Sequence, residues 1–241
     1  MTYVVLLVAA IGSATISGFI GMAGGVTLLA VMTFILPFHV IVPVHGAVQL
    51  ASNLSRTLIL IKSVRKPVFT AFLIGSPLGA VLAFFFLREA QRSSWLLAFL
   101  IFVLFYMALK PKKMPDIKLP DKVYGILGFF ATFLGPLMGA TGPVLAPFFA
   151  RDDYTKEEIV ATKAACQIVI HLLKLPVFLA LAFPYQDYLP MILLMVGGVI
   201  VGTKLGTLIL HKVSGEQFMI ALKVVLFLTG VRLCFKVVGG S

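Results

Sequence analysis

Two polar stripes set 118 positions apart, each carried by an otherwise apolar segment, constrain this chain more than any other feature. His45, Gln49, Asn53 and Arg56 recur as Lys163, Gln167, His171 and Lys174. Offsets of 0, 4, 8 and 11 bring all four side chains onto one face of a helix. The surroundings are apolar: 60% of the 241 residues are hydrophobic and 12% are charged. Apolar runs of about 18 residues or more follow one another, which is the mark of membrane-spanning helices. A polar face inside hydrocarbon is costly unless it looks into protein or a wet cavity. The expectation is a duplicated membrane protein whose working site draws on both copies of the stripe.

The same offset of 118 aligns Gly21, Gly24 and Val26 with Gly139, Gly142 and Val144, and Ala47, Gln49 and Leu54 with Ala165, Gln167 and Leu172. After five extra residues in the second half, Gly75 and Gly79 match Gly198 and Gly202, and Trp95 falls opposite Phe218. The expected organisation is a first transmembrane repeat over 2–112, a basic connecting loop over 113–119 and a second repeat over 120–238. The fold class is an all-α polytopic membrane protein of about eight segments, four per repeat. Helices are expected near 43–61, 67–87, 93–110, 159–182, 188–210 and 216–238, with longer apolar stretches at 3–37 and 123–149.

As one straight helix, 3–37 would run about 50 Å against a hydrocarbon core of about 30 Å. Gly21-Met-Ala-Gly24-Gly25 in this stretch and Gly139-Ala-Thr-Gly142-Pro143 in its counterpart are the natural breakers. Paired interruptions at equivalent positions point to a transporter's binding site. Close helix packing through small residues is the plainer alternative. If each broken segment enters and returns to the same side, the repeats are inverted. That arrangement segregates the connecting Lys and Arg better. It also explains why 179–188 lacks the basic residues of its partner loop, Lys62, Arg65 and Lys66.

A net charge of +11 would suggest nucleic acid in a soluble protein. Here the basic residues gather largely at helix ends, where membrane orientation and anionic lipid account for them, so no nucleic-acid partner is expected. Cys166 and Cys234 lie in apolar segments and indicate neither a disulfide framework nor a metal site. The N-terminal residues lack a basic n-region and read as the first membrane segment. The apolar segments hold no metal-ligand cluster, Ser-His-Asp set or paired carboxylates, so neither enzymatic chemistry nor a cofactor is expected. Self-association is left open.

All nine acidic residues fall in connections or at helix ends: Glu89, Asp116, Asp121, Asp152, Asp153, Glu157, Glu158, Asp187 and Glu216. Basic residues do sit deep, Arg56 and Lys174 foremost. Lys204 and Lys223 can snorkel to an interface. A buried cation without a protein counter-ion is unfavourable by several kcal/mol, so an anionic substrate is the natural partner. Gln49, Asn53, Arg56, Gln167, His171 and Lys174 are the candidate binding side chains. Gly24, Gly25, Thr27, Thr141 and Gly142 would add backbone N–H and hydroxyl donors at the half-helix N-termini. His45 and His171 are candidates for proton coupling, with hydrogen-bonded packing as the plainer alternative.

These residues resemble the sulfite exporter TauE/SafE family of membrane permeases. The resemblance rests on the duplicated Gly-rich break, Gly18-Phe-Ile-Gly21-Met-Ala-Gly24-Gly25-Val-Thr-Leu-Leu and Gly135-Pro-Leu-Met-Gly139-Ala-Thr-Gly142-Pro143-Val-Leu-Ala-Pro147. Leu29 stands where the second copy has Pro147. The resemblance implies a multi-pass protein of the cytoplasmic (inner) membrane that carries sulfite, sulfonates or related oxyanions, mainly outward, by alternating access. An anion-selective channel and an uptake permease for another small anion are the alternatives.

Overall fold

The computed structural model describes residues 2–20, 24–90, 118–149, 151 and 153–209. The helices expected at 93–110 and 216–238, the Trp95/Phe218 correspondence, Gly21, Lys223 and Cys234 lie outside the described residues. Among the described residues there are eight α-helices and no strand: α1 Thr2–Ile20, α2 Gly24–Ile35, α3 Phe38–Ile59, α4 Lys66–Ala90, α5 Tyr124–Met138, α6 Gly142–Phe149, α7 Lys156–Ala180 and α8 Leu189–Leu208.

Among the described residues three stretches are long and apolar enough to cross a membrane: Lys66–Glu89, Lys156–Ala180 and Tyr185–Leu208. Their outward faces are apolar as well. Ile74 and Leu78 on α4 are 78% and 69% exposed, and Leu193 and Ile200 on α8 are also exposed. Greasy stripes on that scale suit hydrocarbon and not water. The stripe-bearing α3 is as long, about 33 Å at 1.5 Å per residue. It begins at Phe38, five residues before the expected start at 43, and carries Pro43 within its second turn. Loss of one N–H so near a helix start removes little of the helical ladder.

Both long apolar stretches are interrupted where the glycines lie. A Cβ on Gly24 would run into the Ser13 carbonyl and the Ser17 side chain, so α2 begins alongside α1 and folds back along it. In the second stretch, the Tyr124 hydroxyl at the start of α5 donates to the Phe148 carbonyl at the end of α6. The Tyr124 and Phe149 rings meet edge to face at 5.4 Å. The pair α5–α6 is therefore also a hairpin.

Close backbone approach sets the helix directions. Gly198, Gly202 and Gly206 on α8 pack in turn on Leu7, Ile11 and Thr15 of α1, an ascending register that makes the two helices parallel. Gly75 and Gly79 on α4 pack on Gly125 and Phe129 of α5 in the same sense. Four-residue glycine spacing lets main chains touch, the favoured device where lipid removes any hydrophobic drive between helices. The antiparallel α3 and α7 run through the middle. The end of α3 lies by the start of α7, with the Arg65 N–H on Thr162 Oγ1 at 3.0 Å. At the opposite end Phe38 and Val42 share a cavity with Phe178 and Leu181.

Charge closes one end. Arg65 pairs with Glu158 at 3.5 Å and lies over the Tyr154 ring at 4.6 Å. Arg151 lies over the same ring at 4.5 Å and donates to the Leu119 carbonyl at 2.8 Å. Its two-pronged hydrogen bond to Asp153 holds that carboxyl down at about 2. The α7 start is fixed by a capping box in which Thr155 and Glu158 exchange hydrogen bonds.

A Cβ at Gly202 meets the Ile11 carbonyl, whereas one at Gly197 meets nothing within 4 Å. Gly202→Leu should lower stability by about 1–3 kcal/mol, several degrees in a detergent melt. Gly197→Leu should melt close to the parent, and equal melting of the two variants would refute this packing.

Candidate functional site

The α3–α7 crossing and the two hairpin tips enclose one small cavity. From α3 come His45 and Gln49, from α7 Gln167 and His171. The first hairpin adds Gly25 and Ser17, and the second adds Ala140, Thr141 and Gly142. About 10 Å³ is open to the centre of a water molecule, room for a single water. All four polar side chains from the stripes are buried, as is Thr141.

His45 Nε2 lies 2.7 Å from the Gly25 carbonyl. A carbonyl only accepts, so Nε2 carries the hydrogen and Nδ1 holds the lone pair of the neutral ring. The His45 and His171 rings stand edge to face with centroids 6.0 Å apart. In the sequence these residues occupy different levels of their stripes. Because α3 and α7 are antiparallel, opposite levels meet. The Nδ1 atoms of both rings and the Thr141 hydroxyl are buried with no hydrogen-bond partner among the described residues.

The two cations at the stripe ends are not brought together. Lys174 Nζ donates to the Gly139 carbonyl at 2.8 Å, and its stem packs beside Gly46. Gly139 has a φ of +73°, a left-handed turn that glycine adopts at little cost. Lys174 thus fastens the tip of the second hairpin at the His45 level. Arg56 lies ten residues beyond Gly46 along α3, about 15 Å away. It donates to Asn53 Oδ1 at 3.2 Å and to Ser52 Oγ at 3.3 Å, while Ser52 meets Thr203 of α8. Asn53 in turn donates to the Gln49 carbonyl, so its side chain serves Arg56 and does not line the cavity. Arg56, Lys163 and Lys174 are all at most 1% exposed. Among the described residues no Asp or Glu is buried.

The hairpin tips supply fewer donors than free helix ends would. The Val144 and Leu145 N–H groups both bond to the Thr141 carbonyl, and Pro143 has none. Gly142 is left as the main-chain donor of α6 at the cavity. Gly24 packs against α1, and Thr27 is half-buried away from the lining. One lining residue escaped the sequence reading: Ser17, whose signal was a hydroxyl one turn before the Gly21 break.

A larger cavity of about 330 Å³ opens beyond Lys174, at the end where α3 begins. Phe38, Val42, Leu137, Phe178 and Phe183 make it apolar, with His39 among the rim residues. Its lining is almost wholly apolar, whereas the smaller cavity gathers polar side chains from both stripes.

One comparison speaks to identity. The family model described as Sulfite exporter TauE/SafE matches residues 5–233. The chain belongs to the TauE/SafE family. No curated protein and no solved structure matches it. The matched span takes in both hairpins and both stripes. This TauE/SafE protein is thus a membrane protein of a transporter family, and its buried polar cavity sits where the two glycine-rich breaks meet.

At Gly24 an added Cβ overlaps main chain, whereas at Gly25 it meets the Gln49 amide at an ordinary 3.5 Å. Gly24→Ala should therefore cost about 1–3 kcal/mol of stability and Gly25→Ala much less, read from paired thermal melts. Reversal of that order would contradict the hairpin geometry.

Proposed function

We propose that this protein is a secondary transporter for small, mainly sulfur-containing oxyanions such as sulfite or sulfonates, with export through the cytoplasmic membrane by alternating access. One observation carries the reading. Arg56 and Lys174 are buried, and no carboxylate is buried with them among the described residues. Unbalanced buried positive charge is expensive, and an anion held between the stripes offsets it. Gln49, Gln167, Thr141 and the Gly142 N–H are the neutral donors that would orient its oxygens.

Two inverted repeats, 2–112 and 120–238, are the architecture that goes with this mechanism. The helix packing supports it. Moving the pairs Gly75–Gly125 and Gly79–Phe129 by 123 positions for α4 and by 118 for α5 yields Gly198–Leu7 and Gly202–Ile11, the contacts of α8 on α1. The hairpins α1–α2 and α5–α6 then enter from opposite sides, with their tips meeting at the stripes. Lys62, Arg65, Lys66, Lys122, Arg151 and Lys156 share the end at which α4, α5 and α7 begin, which makes that end cytoplasmic by the positive-inside rule. Water-sized space at the crossing favours an occluding carrier over an open anion channel.

The test separates binding from folding. Sulfite or methanesulfonate should raise the melting temperature of the purified protein, by up to about 2.7 kcal/mol at a hundredfold excess over Kd. Lys174→Met should melt at or above the parent without anion, since it removes a buried charge while keeping the stem. The same variant should lose the anion-induced shift. Full shifts in both Lys174→Met and Arg56→Met would eliminate this site.

A further inference from the structure

The buried histidine pair has a geometry that plain packing does not explain. His45 commits its Nε2–H to the Gly25 carbonyl at 2.7 Å, at the tip of the first hairpin. The neutral ring then presents a lone pair at Nδ1, and that atom is buried without a partner among the described residues. His171, 6.0 Å away, likewise has an unpartnered buried Nδ1. Both rings line the cavity between the hairpin tips. A lone pair facing an oxyanion repels it. Once Nδ1 takes a proton, the same atom becomes a charged donor, and the repulsion becomes a charge-assisted hydrogen bond.

We propose that His45 and His171 together carry one proton with each anion, so that the protein moves a proton and an anion in the same direction. The proposal rests on the anion-transporter reading and names its coupling ion. The step is a proton transfer without change in the anion's own bonds. A hydronium ion on the loading side passes its proton to Nδ1 of one ring and is left as water, the imidazolium N–H donates to an anion oxygen, and proton and anion leave together on the far side. Proton and anion occupy the same cavity, so each strengthens binding of the other, and by linkage the effect is reciprocal. That makes the movement symport, and export by it draws on the anion's own outward gradient.

One proton per pair follows from the charges around it. On α7 the neighbours are Lys174, three residues from His171, and the buried Lys163; on α3 there is the more distant Arg56. The described parts of α1, α2, α5 and α6 bring no charged side chain. Two imidazolium rings side by side next to Lys174, with no buried carboxylate among the described residues, repel each other. The pair therefore shares a single proton.

Electroneutral movement is the signature. Proteoliposomes holding the full chain and an entrapped pH dye are given methanesulfonate, which stays a monovalent anion at every pH used. The lumen should acidify as the anion enters. The anion flux should ignore a potassium–valinomycin potential and rise by up to about tenfold per unit fall in external pH. The double variant His45→Gln with His171→Gln should lose acidification, and any anion flux left in it should follow the potential. The single variant His171→Asn serves if the double variant fails to fold, and should lose acidification too. Voltage-driven flux without acidification in the parent overturns the proposal while leaving the anion transporter intact. Acidification that persists in the folded histidine variants also overturns it. Absence of both anion flux and anion-induced stabilisation in the parent removes the transporter reading and this proposal with it.

Discussion

Burial of positive charge at the crossing of α3 and α7 is the constraint on which the rest of the structure depends. Arg56 and Lys174 belong to helices whose neighbours are apolar, and lipid offers them no solvation. Each is met by neutral oxygens instead: Asn53 and Ser52 for Arg56, the Gly139 carbonyl for Lys174. Such contacts orient a cation and soften its desolvation, but they leave its charge uncompensated. On the anion-transporter reading proposed above, that uncompensated charge is what draws the anion in.

Hairpins and glycines serve that crossing. A continuous helix at either break would have its main-chain polar groups satisfied internally and would present only side chains to the centre. Interruption at 139–141 frees the Gly139 carbonyl for Lys174 and turns Thr141 and Gly142 toward the cavity. The first hairpin does the corresponding work through the Gly25 carbonyl, which orients His45. Direct main-chain contact along α1–α8 and α4–α5 holds these tips in register. Sliding either helix by one residue would drive a side chain into a carbonyl.

Much of this was legible in the residues, and the misses have physical causes. Helices α4, α7 and α8 begin and end within three residues of where apolar periodicity puts them, since long apolar runs leave little choice. The breaks fall at the glycine clusters because glycine and proline weaken a helix wherever they stand. Spacing along one helix cannot tell which side chains of a stripe reach the centre. Asn53 reads as a ligand and instead supports Arg56; Arg56 and Lys174 read as a pair and lie at opposite ends of the crossing. Ala140 carries no polar signal, and its place in the lining comes from the turn it occupies.

By itself the sequence determined that this chain is helical and belongs in a membrane, with Arg56 and Lys174 set deep in apolar segments. Those properties follow from composition and period, which are local or countable. Only the tertiary structure decided who meets whom. The antiparallel crossing of α3 and α7 sets His45 beside His171, although the two stand at unmatched positions of the repeat. The folding back of α2 and α6 brings main-chain groups to the same point. Both depend on relative helix direction. That direction comes from which glycine faces admit a neighbouring backbone, a property of two surfaces in contact and not of either segment alone.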